Sequence, residues 1–456
     1  MTMLETPAVT VALALLLAGA LASVLFGAAG IKRGLRPLII ALLALALPVF
    51  ALFPIGGAAF NGMVSVDAFA AFFTVLFLIV SIVTILGLES PSPAALASVC
   101  LATVGMTLAA GARDLLMLYL AIELSSAPLY ALLAAKRTPR RLESAMKYFV
   151  VSIVSSALLL LGVVLLAVPA GTTAIASLAP FGPLALLGAG LFLAGLAFKL
   201  GIWPFSLWIP DVYELGPTEI AGFLAGASKK AAFAALLRAS VVLIPLFADW
   251  TLAISVLAAL TMTVPNLIAL AQDDARRLVA YSSITHAGYL LMGVAVASTA
   301  GYAALSFHAL AHATLAAGAF LCLGVFAANK LRRIDECAGV ARRSPYLAGA
   351  LTLFLLGLAG MPILSGFWSK LYLFVETARA GLVWLVVVAV VNSVIALYYY
   401  FRIIRAMYDR DAAGRTILVR TPTLWAVAIC LIATLVIGLW PGPFLRLATI
   451  AAQALG

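Results

Sequence analysis

Phe198–Glu219 reads FKLGIWPFSLWIPDVYELGPTE. Lys199 ends a long apolar run. Pro204 follows five residues later, then aromatics, a second proline at Pro210, and an acidic turn. Proline removes a helical hydrogen bond and clashes with the preceding turn, so a break or kink is expected beside Lys199. Backbone groups freed inside a membrane are tolerated only where protein or water satisfies them. Burial favours a neutral lysine and a nearby carboxylate favours the ammonium. A lysine at such a break, with an acidic partner that can move, is a switchable proton carrier. The alternative is a lysine snorkelling to an interface, for which Lys199 is too deep if the helix continues through IWPFSLW.

The rest of the chain fits a membrane setting. It is 65% hydrophobic and 10% charged, with a mean hydropathy of +1.19. Soluble domains average about 45–50% apolar and about 25% charged residues, so soluble folds are excluded. The run at 7–28 is too long for a signal h-region and follows Glu5 with no basic residue, so no signal peptide is expected. Cys100, Cys322, Cys337 and Cys430 are scattered without metal-ligand or CxxC spacing, so neither disulfides nor an iron–sulfur cluster is expected. The net charge of +11 reads as topology rather than nucleic-acid binding.

A span needs about 20 apolar residues. Fourteen are expected, at 7–28, 37–54, 65–87, 92–111, 114–135, 145–168, 183–206, 219–246, 250–271, 278–298, 301–328, 347–374, 381–407 and 421–440. Connections after odd-numbered spans hold Lys32, Arg33, Arg36, Lys136, Arg137, Arg140, Arg141, Lys147, Arg276, Arg277, Lys330, Arg332, Arg333, Arg342, Arg343, Arg402, Arg405, Arg410, Arg415 and Arg420, twenty of the 28 basic residues. The opposite side holds only Arg113, Arg379 and Arg446. The positive-inside rule then puts both termini outward. The expected localisation is a bacterial inner (plasma) membrane, multi-pass, with the lipid bilayer as one partner.

The other five basic residues, Lys199, Lys229, Lys230, Arg238 and Lys370, lie within spans, as does the carboxylate Glu123. A charge at mid-bilayer costs roughly 2.5–3.5 kcal/mol on insertion scales, so such groups are functional candidates that face protein or water. Tyr119 and Ser126, at i−4 and i+3, offer hydrogen bonds to Glu123, whose plain alternative is a staple between helices. Lys229 and Lys230 point about 100° apart on a helix, so they are not expected to face one path, and spacing does not choose between them. Arg238 reads as a structural pair or a snorkelling residue. Lys370 follows LAGMPILSGFWS, where Gly360, Pro362 and Gly366 punctuate the twelfth span. Interrupted spans in corresponding halves point to an ion pathway built on inverted repeats. Lys199 with Pro204 and Lys370 with Pro362 thus read as counterparts. The expected fold is an all-α polytopic membrane protein of about fourteen helices, with two inverted five-helix repeats and helices 7 and 12 broken. Its divisions are 1–90, 91–246, 247–410 and 411–456.

His286 lies in AYSSITHAGYLL, and His308 and His312 in SFHALAHATLAAGAF. The last two share a helix face. Ala309 stands where a metalloprotease HExxH needs its general base, and no carboxylate or cysteine is near, so no metal site is expected. Histidine titrates near neutrality. A proton relay with Ser282, Ser283 and Thr314 competes with buried neutral histidines bonded to backbone. The sequence has no Walker A loop, dinucleotide fingerprint, haem or flavin pattern, so no cofactor is expected in this chain.

LYLAIELSSAPLYAL, ESAMKYFVVSIVSSALLLLG, FKLGIWPFSLWIPDVYE, SKKAAFAALLR, RRLVAYSSITHAGYLLMG, AGMPILSGFWSKLYLF and NSVIALYYYFRIIRAMY closely resemble the NuoN family of membrane-arm subunits of respiratory complex I, the proton-pumping NADH:quinone oxidoreductase. The likeness runs from about residue 65 to 410. It implies the same fourteen-helix fold and NuoM-like and NuoK-like neighbours. It implies that Glu123 pairs with Lys199, that Lys229 is the central lysine with Lys230 an extra charge, that Lys370 faces the proton exit, and that His286 is the tenth-helix histidine. Two features depart from the family: PDVYELGP replaces the usual PDVYEGAP, and His308 and His312 are more typical of the NuoM-like and antiporter relatives. Under this resemblance the redox chemistry lies in other subunits. Alternatives are an Mrp-type Na⁺/H⁺ antiporter subunit, a non-pumping structural subunit, and the membrane arm of a hydrogenase or F420H2 dehydrogenase.

Overall fold

The computed structural model describes residues 7–31, 34–52, 56–89, 91–135, 137–178, 182–247, 249–409 and 416–455. Glu5, Lys32, Arg33, Lys136, Arg410 and Arg415 lie outside them, as does the end of the second expected span.

The helices begin where the sequence places a cap. α1 (Pro7–Ala28) and α2 (Leu35–Leu52) lead to α3 (Ala68–Gly87), which Asp67 caps by accepting from the Ala70 amide. Ser92 caps α4 (Pro93–Gly111) and Asp114 caps α5 (Leu115–Ala134). Proline at the first helical position opens α6 (Pro139–Ala170). A side-chain oxygen just before an apolar run satisfies amides that the helix itself cannot.

The seventh span is broken. α7 (Gly182–Leu200) stops at Gly201, which sits at φ +66°, and a turn containing Pro204 leads to α8 (Trp208–Leu215). The Trp203–Pro204 peptide is cis. The acidic residues after Pro210 are therefore helical, and only Gly216–Pro217 turns the chain. The freed ends find partners: the Trp208 indole donates to the Phe198 carbonyl at 3.3 Å, and the Trp203 amide to Thr261 Oγ1 at 3.3 Å.

The eighth span is α9 (Thr218–Phe223), a π-helical turn over Leu224–Ser228, and α10 (Lys229–Leu243). The irregular turn ends directly at the two lysines. Then come α11 (Trp250–Leu270), α12 (Ala275–Val296, capped by Asp274) and α13 (Thr299–Ala328, capped by Ser298). A short α14 (Val340–Arg343) precedes the twelfth span. This span is α15 (Pro345–Ala359), a break with Gly360 at φ +94° and Ile363 at φ +74°, and α16 (Ser365–Arg379). α17 (Val383–Met407) and α18 (Thr421–Leu439) complete the fourteen.

Among the described residues, twelve helices are long and apolar enough to cross a membrane, and Leu35–Val49 and Pro345–Ala359 are shorter apolar helices. Two elements were not expected. Ala58–Ala59 pairs with Val64–Ser65 in a small antiparallel hairpin, and α19 (Pro441–Gln453) follows α18, packing with α13 and α3. The sequence reading missed α19 because its apolar positions follow one face rather than filling a span.

α10, α12 and α13 are buried on nearly every face and form the centre. α1, α6, α11 and α17 carry outward apolar residues such as Leu21, Val154, Leu252 and Val394. Of the in-span charges, Lys229, Lys230 and Arg238 lie on α10 and Lys370 lies against Tyr289 of α12, while Lys199 and Glu123 pair between α7 and α5; all thereby face protein rather than lipid.

α8 is fastened by charge. Lys147 on α6 lies 2.7 Å from Asp211, and Arg277 on α12 lies 2.6 Å from Asp211 and 2.8 Å from Glu214. Burial pushes the Asp211 carboxyl up, but hydrogen bonds from Lys147 and Arg277 outweigh it and hold it below the usual carboxylate range. A depressed carboxylate stabilises the fold above its unfolded value and loses that contribution only as pH falls through its folded value. At pH 7, D211N is therefore expected to lower the thermal-inactivation midpoint of the assembled complex, through a loss of about 1–2 kcal/mol for a partly screened charged hydrogen-bond pair. An unchanged midpoint would show that α8 is held otherwise.

Candidate functional site

The first group joins α5 to the broken seventh span. Lys199 Nζ lies 3.2 Å from Glu123 Oε1. That contact is an ion pair without hydrogen-bond geometry, since the ammonium donates instead to Ser126 Oγ at 3.1 Å and Tyr130 OH at 3.4 Å. Neither expected neighbour bonds the carboxylate. The Tyr119 hydroxyl reaches Ser156 on α6 at 3.1 Å, and the Ser126 hydroxyl donates to the Ile122 carbonyl. Glu123 Oε1 therefore meets Lys199 by charge rather than by an aligned hydrogen bond. The Lys199 side chain is 6% exposed and that of Glu123 25%.

Lys229 and Lys230 continue the line. Gly201, at the end of α7, lies so close that a Cβ there would come within 2.9 Å of Lys229 Cε. Lys229 Nζ donates to Ser283 Oγ at 2.9 Å and to the Ser283 carbonyl at 3.1 Å, both on α12. Lys230 Nζ bonds His312 Nδ1 at 2.7 Å and the Ala225 carbonyl at 2.7 Å. The two lysines take different partners. α12 supplies the acceptors of Lys229, and α13 and the π-helical turn supply those of Lys230.

The three histidines cluster. His286 and His312 have ring centroids 4.4 Å apart, and His286 Nδ1 lies 3.2 Å from His308 Nε2. His308 Nδ1 meets Ser369 Oγ at 3.0 Å, and that hydroxyl donates to the Gly366 carbonyl. These bonds assign the protons. With its hydrogen committed to Gly366, Ser369 accepts from His308 Nδ1–H, so His308 Nε2 accepts from His286 Nδ1–H. His312 Nδ1 accepts from Lys230, so its proton sits on Nε2. Of the expected hydroxyl neighbours, Ser283 serves Lys229, Ser282 bonds Tyr400 on α17, and Thr314 bonds its own helix at the Ala311 carbonyl.

Lys370 closes the line. Its Nζ donates to the Ala359 carbonyl, the freed end of α15, at 3.1 Å and to Ser393 Oγ at 3.2 Å, and lies 4.7 Å from the Tyr289 ring centroid. A helix C-terminus carries partial negative charge that suits an ammonium. The lysines of the two breaks are not position-for-position counterparts: Lys199 precedes its break on α7, whereas Lys370 follows its break on α16. Pro204 and Pro362 lie within the two turns.

Arg238 lies apart from this line. It donates to Asp67 Oδ1 at 2.6 Å and the Ala110 carbonyl at 2.8 Å, against the Phe69 ring. Burial pushes the Asp67 carboxyl up, but hydrogen bonds from Arg238, Ser65 and the Ala70 amide hold it below the usual range. This is the structural pair among the expected alternatives.

The transmembrane family described as NADH:quinone oxidoreductase/Mrp antiporter matches residues 112–396, which include Glu123, all four line lysines and the three histidines. The chain belongs to this family. Subunit N of the F420H2 dehydrogenase of Methanosarcina mazei is 37% identical over 87% of this chain and 86% of that one. NADH-quinone oxidoreductase subunit N of Mycobacterium tuberculosis is 40% identical over 77% of this chain and 70% of that one. A chain of respiratory complex I from Thermus thermophilus is 35% identical with a TM-score of 0.85, covering 96% of this chain and 99% of that one.

As a member of this family the chain is a multi-span membrane protein of a respiratory complex. One buried polar group went unread in its sequence. Asn266 on α11 donates to the Asn392 side chain at 3.0 Å and accepts from Tyr399 OH at 2.8 Å, and Asn392 donates to Thr263 at 3.0 Å. The signal was available as lone asparagines in TVPNLIAL and VVNSVIA, since amides inside spans bond across helices. At Gly201, a Cβ would add strain of about 1–2 kcal/mol in the left-handed region and press on Lys229. G201A is expected to assemble yet lower proton translocation per electron by displacing that lysine. A wild-type ratio would show that the Lys229 position is not critical.

Proposed function

We propose that this chain is a proton-translocating membrane-arm subunit of a complex I-type NADH:quinone oxidoreductase, driven by redox chemistry in other subunits. The observation that carries this reading is the set of buried lysines Lys199, Lys229 and Lys370, each bonded to a hydroxyl, with Lys230 on the histidine cluster and Glu123 beside Lys199. A purely structural core has no use for several desolvated ammonium groups whose acceptors are mostly neutral.

In this reading Glu123 holds the resting proton on Lys199. A neighbouring subunit, of NuoM-like or NuoK-like kind, acts through Glu123, the more exposed partner of the pair. Weakening the pair releases the Lys199 proton toward Lys229. From Lys229 the proton passes by way of the histidines to Lys370, and so to the outside. One pKa unit is worth about 1.36 kcal/mol, and moving one charge through 100 mV about 2.3 kcal/mol. A change of about two units at one lysine is thus on the scale of the work. The residues 91–246 and 247–410 form the two halves of this path, with 1–90 and 411–456 flanking them. The charge distribution supports an inner (plasma) membrane setting with both termini outward.

The identity to the F420H2 dehydrogenase subunit favours one variant, in which the donor is F420H2 rather than NADH. Purifying the complex and identifying its donor separates the two. In this reading the path through this chain is the same in both.

K229Q tests the proton role. In the complex reconstituted in vesicles, the expected result is a lower H⁺/e⁻ ratio or, if coupling is tight, a lower quinone-reduction rate. An assembled complex with both values unchanged would favour a structural subunit.

A further inference from the structure

The histidine string needs a proton donor at its inner end. Lys229, the lysine that the family resemblance marks as central, bonds Ser283 rather than a histidine. Lys230 occupies the required place. It is 1% exposed, and its ammonium is divided between His312 Nδ1 and the Ala225 carbonyl, neither of them charged. Ala225 belongs to the π-helical turn that ends at Lys229. Such turns are frequent at functional sites because they offer carbonyls outside the regular ladder.

We propose that Lys230 is a second proton carrier, in series between Lys229 and the histidines, and that it delivers the proton to His312. The proposal rests on the proton-translocating reading above and adds a residue that the reading takes only as a bystander charge. Like charges side by side in the interior repel, so the adjacent lysines share one excess proton rather than each holding one. In the transfer, an Nζ–H bond of Lys230 breaks and leaves its electron pair on Nζ. An Nδ1–H bond forms on His312, and the proton already on His312 Nε2 leaves toward His286. His286 presents an Nε2 lone pair, because its Nδ1–H is directed at His308. The rings of His312 and His286 are 4.4 Å apart between centroids. Every assigned donor from there on points the same way, from His286 to His308, Ser369 and Gly366.

The rival is a lysine that only ties the π turn to α13. Arginine separates the two, since it keeps a long stem, a charge and donors yet does not release its proton in proteins. K230R and K230Q are made in the whole complex, with assembly checked by subunit content, and proton translocation per electron is measured in vesicles beside K229Q. If Lys230 carries protons, K230R and K230Q fall to the lowered value of K229Q, and adding H312Q to K230R lowers it no further. If K230R pumps at the wild-type ratio while K229Q does not, Lys230 is structural and the proposal fails, with the wider reading intact. If K229Q and K230R both pump normally, the wider reading fails as well. K230R preserves charge and bulk, so it decides the matter even if K230Q does not assemble.

Discussion

Everything in this fold answers to one constraint: four lysine side chains must be kept inside an apolar protein with, among the described residues, a single carboxylate for a partner. An isolated buried charge is expensive, and a permanent ion pair for each lysine would hold its proton in place. The structure takes an intermediate course. Among the described residues, Lys199 alone of the four has an acidic partner, and it shares that partner's field without an aligned hydrogen bond. The other three rest on neutral oxygens and a ring nitrogen.

Two of those neutral acceptors come from places where helices are irregular. Lys370 takes the carbonyl left free at the end of α15, and Lys230 takes one from the π-helical turn. Lys199 sits in the last turn before α7 stops, and Gly201, the stopping residue, gives Lys229 its space. Breaking a helix thus creates dipoles that stabilise a cation without binding it as a carboxylate would. Ion pairs fasten α8 beyond the first break, and the Arg238–Asp67 pair ties α10 to the start of α3.

Much of this was legible in the sequence. Hydropathy and the alternation of basic loops gave fourteen passages, and glycine with proline marked both breaks. The rarity of charge inside spans singled out Glu123 and the lysines. Other features depended on distance between segments. Helical spacing separates Lys229 from Lys230, but only the packing of α12 and α13 shows that both reach the buried polar line. Nothing local announces the π-helical turn, since its residues Leu224–Ser228 suit an ordinary helix equally well. The acidic residues after Pro210 read as a turn because their helix is held by partners far away in sequence, Lys147 and Arg277.

The central claim is that the charge on Glu123 governs where the Lys199 proton rests. The most direct measurement is the H⁺/e⁻ ratio of E123Q in the intact, reconstituted complex. Glutamine keeps the shape of the side chain and removes its charge. The ratio is expected to fall, or the redox rate to fall with it, while assembly is retained. An assembled E123Q complex that turns over and pumps as the wild type does would contradict the account.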